Sequence, residues 1–166
     1  DKRPDVQAIR LLMDGYLDTY IADLSIVHDV EGCPWDPAVS APGVVNQVVT
    51  YLRISHDAAR YYLQMLSLMY PTDADIRRWN SWNAATHRAA VAELAGRGLI
   101  VEGHRARAGR SWFLPGAWLE GGKKDRPVEE WKARHYLLWQ DVKVRPVLPG
   151  SPLLMPIAQL YQQVWQ

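Results

Sequence analysis

The stretch over residues 82–118 constrains the fold more than any other part of the chain. It opens with Ala, Glu and Leu, residues that favour helix, over residues 84–97. Asn83 or Ser81 can cap the start of this helix, and Gly98 stands where a helix end needs a left-handed residue. These signals predict a helix with both of its ends marked.

Two short strands are predicted to follow this helix as an antiparallel hairpin. Residues 99–104 have the β-branched content of a strand, and residues 111–114 form a second strand that stops before a Pro-Gly pair. Between them, residues 105–110 make a basic turn of small residues with a glycine for the reversal. Because strand side chains alternate, Ile100 and Phe113 are predicted to face inward and Trp112 to lie on the opposite face from Phe113.

The helix ending in Arg-Gly-Leu-Ile and the hairpin with a basic tip resemble the winged helix-turn-helix superfamily. The resemblance implies a mainly α fold with a small antiparallel β-hairpin, in which residues 84–97 are the recognition helix and residues 105–110 the wing. A short helix capped by Thr72 and a turn at Asn80-Ser81 supply the preceding helix-turn step. The segment RARAGRSWFLPGAW also resembles part of very large, poorly characterised bacterial proteins, which implies a module of a longer multidomain chain.

The chain is predicted to consist of a winged-helix core, residues 55–118, with helical extensions over residues 1–54 and 119–166. In the first extension, apolar residues at three- and four-residue spacing predict a long helix that packs on the core through Leu12, Tyr16 and Leu24. The remaining elements are predicted as a loop over 30–42, helices over 43–54, 128–139 and 152–166, a capped helix after Ser55, and a short strand over 142–147.

Positive charge is concentrated in the middle of the chain, although the net charge is only +1. Residues 1–70 hold five Lys or Arg against nine Asp or Glu, whereas residues 71–126 hold ten against six. Because phosphate binding needs local rather than global positive potential, this pattern is compatible with nucleic acid as a partner. A solvated basic loop explains the same charges equally well.

Two functions are compatible with this pattern, and both are binding functions. In the first, duplex DNA is contacted by the start of the recognition helix and by the wing, through Asn83, Thr86, His87, Arg88, Arg105, Arg107 and Arg110. In the second, the winged helix is a protein-interaction module inside a larger assembly, since this fold does not by itself imply DNA binding. The near-neutral charge and the eight tryptophans favour the second. DNA binding is the function predicted here, and protein interaction is the alternative.

No catalytic, cofactor or metal motif is found in the sequence. There is no phosphate-binding glycine loop or nucleophile elbow, and the five histidines are too dispersed for a helical metal pair. The chain is therefore expected to be non-catalytic, with no cofactor and no metal. The single cysteine, Cys33, fits a reducing compartment, and no apolar run suits a bilayer, so a cytoplasmic location is expected.

Overall fold

The computed structural model describes residues 31–120, 126–136, 138–140, 144–146, 153 and 155–166, together with positions 6, 9, 10, 13–15, 18 and 21. Within these residues the protein is mainly helical, with small two-stranded antiparallel ladders. The helices are α1 Pro37–Ser40, α2 Pro42–Leu52, α3 His56–Ser67, α4 Asp73–Trp79, α5 Ala84–Gly96 and α6 Ile157–Trp165. The strands are β1 Val101–Glu102, β2 Trp112–Phe113, β3 Trp118–Leu119, β4 Val128–Glu129, β5 Leu138–Gln140 and β6 Val144–Pro146, and a 3₁₀ helix spans Glu130–His135.

The helix caps predicted from the sequence are confirmed. Ser55, Thr72 and Asn83 each precede a helix, and each side-chain oxygen accepts a hydrogen bond from a backbone N–H of the first turn. Gly98 follows α5 in the left-handed conformation, with φ of +68°. These contacts satisfy donors that the helix itself leaves unpaired, so the start of each helix is fixed locally.

The loop predicted over residues 30–42 is wrong in part, because it contains the short helix α1. Asp36 caps this helix, since its Oδ1 accepts a hydrogen bond from the backbone N–H of Ala38 at 2.8 Å. Pro37 occupies the first turn, where its fixed φ suits a helix and its missing N–H costs nothing. The prolines that suggested a loop therefore begin two consecutive helices, α1 and α2.

Helix α3 lies at the centre of the packed helices. Helices α2, α5 and α6 all pack against it, and most of its residues are buried. Its polar Gln64 is fully buried and exchanges two hydrogen bonds with the side chain of Asn80, at 2.8 and 3.0 Å. One hydrophobic cluster includes buried residues from each of the three predicted segments, including Val48, Leu94 and Leu160.

The hairpin predicted after α5 is confirmed as the pair β1–β2, with Val101 opposite Phe113 and Glu102 opposite Trp112. Ile100 and Phe113 are both buried, as predicted, but this register places them on opposite faces of the ladder. Ile100 belongs to the hydrophobic core, and Trp112 packs against that core. Phe113 instead lies under the loop between the strands, where the guanidinium groups of Arg105 and Arg110 approach its ring.

The helix predicted over residues 128–139 is wrong. Val128–Glu129 forms a strand that pairs with Trp118–Leu119, and a 3₁₀ helix and strand β5 follow. The side chains of Trp131 and Tyr136, which suggested an α-helix, instead donate hydrogen bonds to backbone carbonyls at the end of α3. By contrast, β6 and α6 lie within the strand and closing helix predicted for the last part of the chain.

The structure describes the predicted amino-terminal helix at only a few positions. Val6, Ile9, Arg10, Met13, Asp18 and Ile21 are helical, and the side chains of Ile9, Met13 and Ile21 are exposed. The predicted contact through Leu12, Tyr16 and Leu24 lies outside the described residues. Among the helices that the structure describes, none combines the length and apolar content needed to cross a bilayer.

Because α2 lies in the core, truncation of its Val48 should lower the free energy of unfolding more than truncation of Val101 on β1. Val48 is fully buried, whereas Val101 is 45% exposed on β1. Val48→Ala should lower the free energy of unfolding by about 1.5–3 kcal/mol, because it removes two buried methyl groups and leaves a cavity. Val101→Ala is the matched control and should cost less than about 1 kcal/mol. Urea denaturation measures both, and equal losses would contradict this placement of α2.

Candidate nucleic-acid interface

Two of the residues predicted to contact bases, Asn83 and Thr86, form the cap at the start of α5. The Oδ1 atom of Asn83 accepts hydrogen bonds from the backbone N–H groups of Ala85 and Thr86, both at 2.9 Å. The hydroxyl of Thr86 donates to the same oxygen at 3.2 Å. Arg88 is exposed on the next turn. Of these three side chains, Arg88 alone is not part of the cap.

The structure places His87 in the interior, which corrects its prediction as a DNA contact. Its ring meets Tyr61 edge to face, with 5.4 Å between ring centroids, and its Nε2 lies 3.3 Å from Oδ1 of Asp73. Burial raises the pKa of Tyr61, and the negative charge of Asp73 raises it further. His87 therefore joins α5 to α3 and α4 and presents no edge to a partner.

The wing, residues 105–110, carries an exposed arginine, Arg107, and a half-buried one, Arg105. The guanidinium carbon of Arg105 lies 3.6 Å from the centroid of the Trp118 ring, close enough for a strong cation–π contact. Arg107 is exposed and adopts the left-handed conformation with φ of +62°. Trp118 was missed in the sequence as a partner of the wing, because no local spacing connects it with Arg105.

Arg110 is not on the surface of the wing, and this corrects its prediction as an exposed contact to the DNA backbone. Its side chain is only 3% exposed. One terminal nitrogen donates to the carbonyl of Pro71 at 2.7 Å, and the other donates to Oε1 of Glu129 at 2.6 Å. A charge taken out of water needs such partners, so Arg110 holds the wing against β4.

Glu129 and Lys132 complete a buried ion cluster with Arg110. Oε2 of Glu129 lies 3.0 Å from Nζ of Lys132, and both side chains are fully buried. Burial lowers the pKa of Lys132 to about 8, although the charge of Glu129 opposes this shift. This cluster was not predicted from the sequence, because Glu129 lies 19 residues from Arg110. Its one local signal is the three-residue spacing from Glu129 to Lys132.

The end of α3 receives hydrogen bonds from the segment that carries this cluster. Trp131, Lys132 and Tyr136 donate from their side chains to the consecutive carbonyls of residues 66, 68 and 67, at 3.0, 2.7 and 2.8 Å respectively. A helix cannot satisfy its own last carbonyls, and a cation is favoured at this end of the helix dipole. The carboxy-terminal segment therefore caps the central helix.

Acidic residues lie between the wing and the start of α5. The backbone N–H of Asp73 donates to the carbonyl of Gly109 at 3.1 Å, which joins the wing to the start of α4. The side chains of Asp73 and Asp75 are each 31% exposed, and Asp75 pairs with Arg78. Within the described residues no group of His, Cys, Asp and Glu has the arrangement of a metal site.

The buried ion cluster predicts a large cost for removing its carboxylate. Glu129→Gln leaves the charges of Arg110 and Lys132 buried without a counter-charge, and it should destabilise the protein by about 3–5 kcal/mol. Asp75→Asn removes a carboxylate from the exposed pair with Arg78 and should cost less than about 1 kcal/mol. Chemical denaturation measures both variants. Similar small losses would show that Glu129 does not pair with buried cations.

The lowered pKa of Lys132 predicts how stability depends on pH. Between pH 8 and 10 the unfolded chain holds a proton on Lys132 that the folded chain has largely lost, so stability should rise with pH. Above pH 10 it should fall, because burial raises the pKa values of Tyr61 and Tyr136 and only the unfolded chain ionises there. Urea unfolding at pH 8, 9 and 10 measures the rise. Lys132→Met should abolish it, and a flat wild-type profile would contradict the assignment.

Comparison with known proteins adds no identification to this geometry. No family model, no curated protein and no solved structure matches the chain.

Proposed function

We propose that this protein is a non-catalytic winged-helix binding module that contacts the phosphate backbone of duplex DNA. Arg105 and Arg107 of the wing and Arg88 of α5 make the contacts. The observation that carries the proposal is the setting of the Arg105 side chain. Its guanidinium lies on the Trp118 ring and has no hydrogen bond or ion pair to any other described residue. A guanidinium held on an aromatic face keeps its N–H edge available for an anion.

The order of elements supports the winged-helix part of the proposal. The short helix α4, a tight turn, the longer helix α5 and the hairpin β1–β2 follow one another as in a helix-turn-helix with a wing. Ser81 in the turn adopts the left-handed conformation, with φ of +56°, which lets the chain reverse over a few residues. The wing and the start of α5 are the two parts that such a module applies to DNA.

The setting of the other candidates argues against recognition of a particular base sequence. Asn83 and Thr86 are used in the helix cap, and His87 and Arg110 are buried. Base edges are read by side chains that are free to form two hydrogen bonds, and only Arg88 remains in such a position. The module therefore binds DNA through phosphates and discriminates little between sequences.

A second candidate function, docking to another protein, is favoured by the exposed Tyr51 and its half-buried neighbour Trp165. Tyr51 is 79% exposed, and its ring meets Trp165 edge to face at 5.7 Å between centroids. Large aromatic side chains are frequent at the centres of protein interfaces. The exposed face of α5 is also rich in alanine, through Ala85, Ala89 and Ala92, and would admit close approach of a partner.

Titration with mixed-sequence duplex DNA tests the first function. Nonspecific binding with a dissociation constant of about 1–100 μM is expected at low salt, and three phosphate contacts predict a slope of log K against log salt of about −2.7. The double variant Arg105→Gln, Arg107→Asn should reduce this slope by about 1.8. Asn is used at position 107 because it tolerates a positive φ.

Arg97→Gln is the matched control, since Arg97 lies at the opposite end of α5 and bonds the carbonyl of Leu52. It should leave both affinity and slope unchanged. Absence of binding at high micromolar protein, or a slope that the double variant does not alter, would contradict DNA binding and favour the docking function.

A further inference from the structure

A hollow lies beneath the wing, beside Arg126 and Pro127, which precede β4. Its lining includes Arg105, Arg110 and Arg126, with the rings of Tyr70 and Trp118 beside them. The enclosed volume is about 20 Å³, enough for one or two water-sized groups. Three arginines around so small a space are unusual, because like charges repel unless an anion lies among them.

The two outer arginines are each positioned by an aromatic ring. Arg105 lies over Trp118, and the guanidinium carbon of Arg126 lies 5.5 Å from the centroid of the Tyr70 ring. The hydroxyl of Tyr70 also donates to the backbone carbonyl of Arg126 at 3.4 Å. In the part of the chain that the structure describes, neither guanidinium has a hydrogen bond or an ion pair. Both are therefore directed by stacking, and no described residue supplies an acceptor to their N–H groups.

Arg110 lines the hollow, and one of its three side-chain nitrogens has no hydrogen bond to a described residue. Its two terminal nitrogens bond the carbonyl of Pro71 and the carboxylate of Glu129. Its Nε atom is buried and has no hydrogen-bond partner among the described residues. A buried N–H without an acceptor is disfavoured, and an oxyanion in the hollow would supply one.

The charge around the hollow remains positive after its carboxylates are counted. Glu129 also lines the hollow, but it is paired with Arg110 and with Lys132. Asp73 is the other carboxylate that acts on Arg110. Among the described residues that line the hollow, three arginines thus face one carboxylate, and an anion entering the hollow meets a net attraction.

From these contacts we propose that the hollow beneath the wing binds a single phosphate group. Guanidinium groups bind the oxygens of phosphate in pairs, with two parallel hydrogen bonds, and the space admits two such oxygens. The rest of a larger ligand stays outside, between Arg105 and Arg126. The phosphate comes from a nucleic-acid backbone or from a free phosphate ester. The site shares Arg105 with the proposed DNA contact, but it does not require DNA.

Arginine Nε–H signals in NMR spectra of the whole chain test this site. Inorganic phosphate is titrated at pH 7.5, with chloride adjusted to hold ionic strength constant. The Nε–H signals of Arg105, Arg110 and Arg126 should shift together and reach saturation. Arg126→Gln should weaken phosphate binding about tenfold or more, because it removes a charge-assisted contact. If that variant does not fold, Arg126→Lys keeps the charge and should still weaken binding, since it loses the paired geometry.

The controls separate this site from general attraction of anions. Arg97→Gln should bind phosphate as the wild type does. Shifts that grow without saturation, or that acetate produces equally, would overturn the proposal. An unchanged affinity in Arg126→Gln would also overturn it, even if DNA binding persists through Arg105 and Arg107. Saturable phosphate binding that duplex DNA cannot displace would support the site with a free phosphate ester as ligand, and would contradict the proposed DNA contact.

Discussion

The packing of the carboxy-terminal segment and of the wing depends on one constraint. The backbone carbonyl groups at the end of the central helix α3 need hydrogen-bond donors. These carbonyls are buried, and no residue of α3 can reach them. Trp131, Lys132 and Tyr136 supply the donors from a segment more than sixty residues later in the chain. Because one donor is a cation, it brings a further requirement, which is a carboxylate nearby in the same interior.

Glu129 supplies that carboxylate and also connects the helix end to the wing. It pairs with Lys132 on one side and with Arg110 on the other, so the wing is held by a buried charge rather than by its short ladder alone. The same pairing divides the wing arginines by role. Arg110 is paired with Glu129 in the interior, whereas the guanidinium of Arg105 lies on the Trp118 ring. A basic loop in a sequence thus contains arginines in different settings, and their contact partners distinguish them.

The parts of the fold that were predictable from the sequence are those set by neighbours in the chain. The caps at Ser55, Thr72 and Asn83 were predictable because a cap acts within three residues. The β1–β2 hairpin was predictable from its strand residues and turn. The face of the ladder on which each side chain lies was not, because alternation alone does not say which side meets the core. Of the candidate site, Arg88, Arg105 and Arg107 lie where a partner can approach. The burial of His87 and Arg110 depends on Asp73 and Glu129, which no local spacing connects with them.

The contacts that residues 129–136 make with the end of α3 and with the wing affect the order in which the chain folds during synthesis. The wing leaves the ribosome before the segment from Val128 to Tyr136, and domains fold as their parts emerge. Until Glu129 arrives, Arg110 lacks the carboxylate that it pairs with in the folded protein, so the wing cannot take its final position. The wing is therefore positioned late, after most of the helical core has been made. A nascent chain that pauses before Glu129 would carry α5 without a fixed wing.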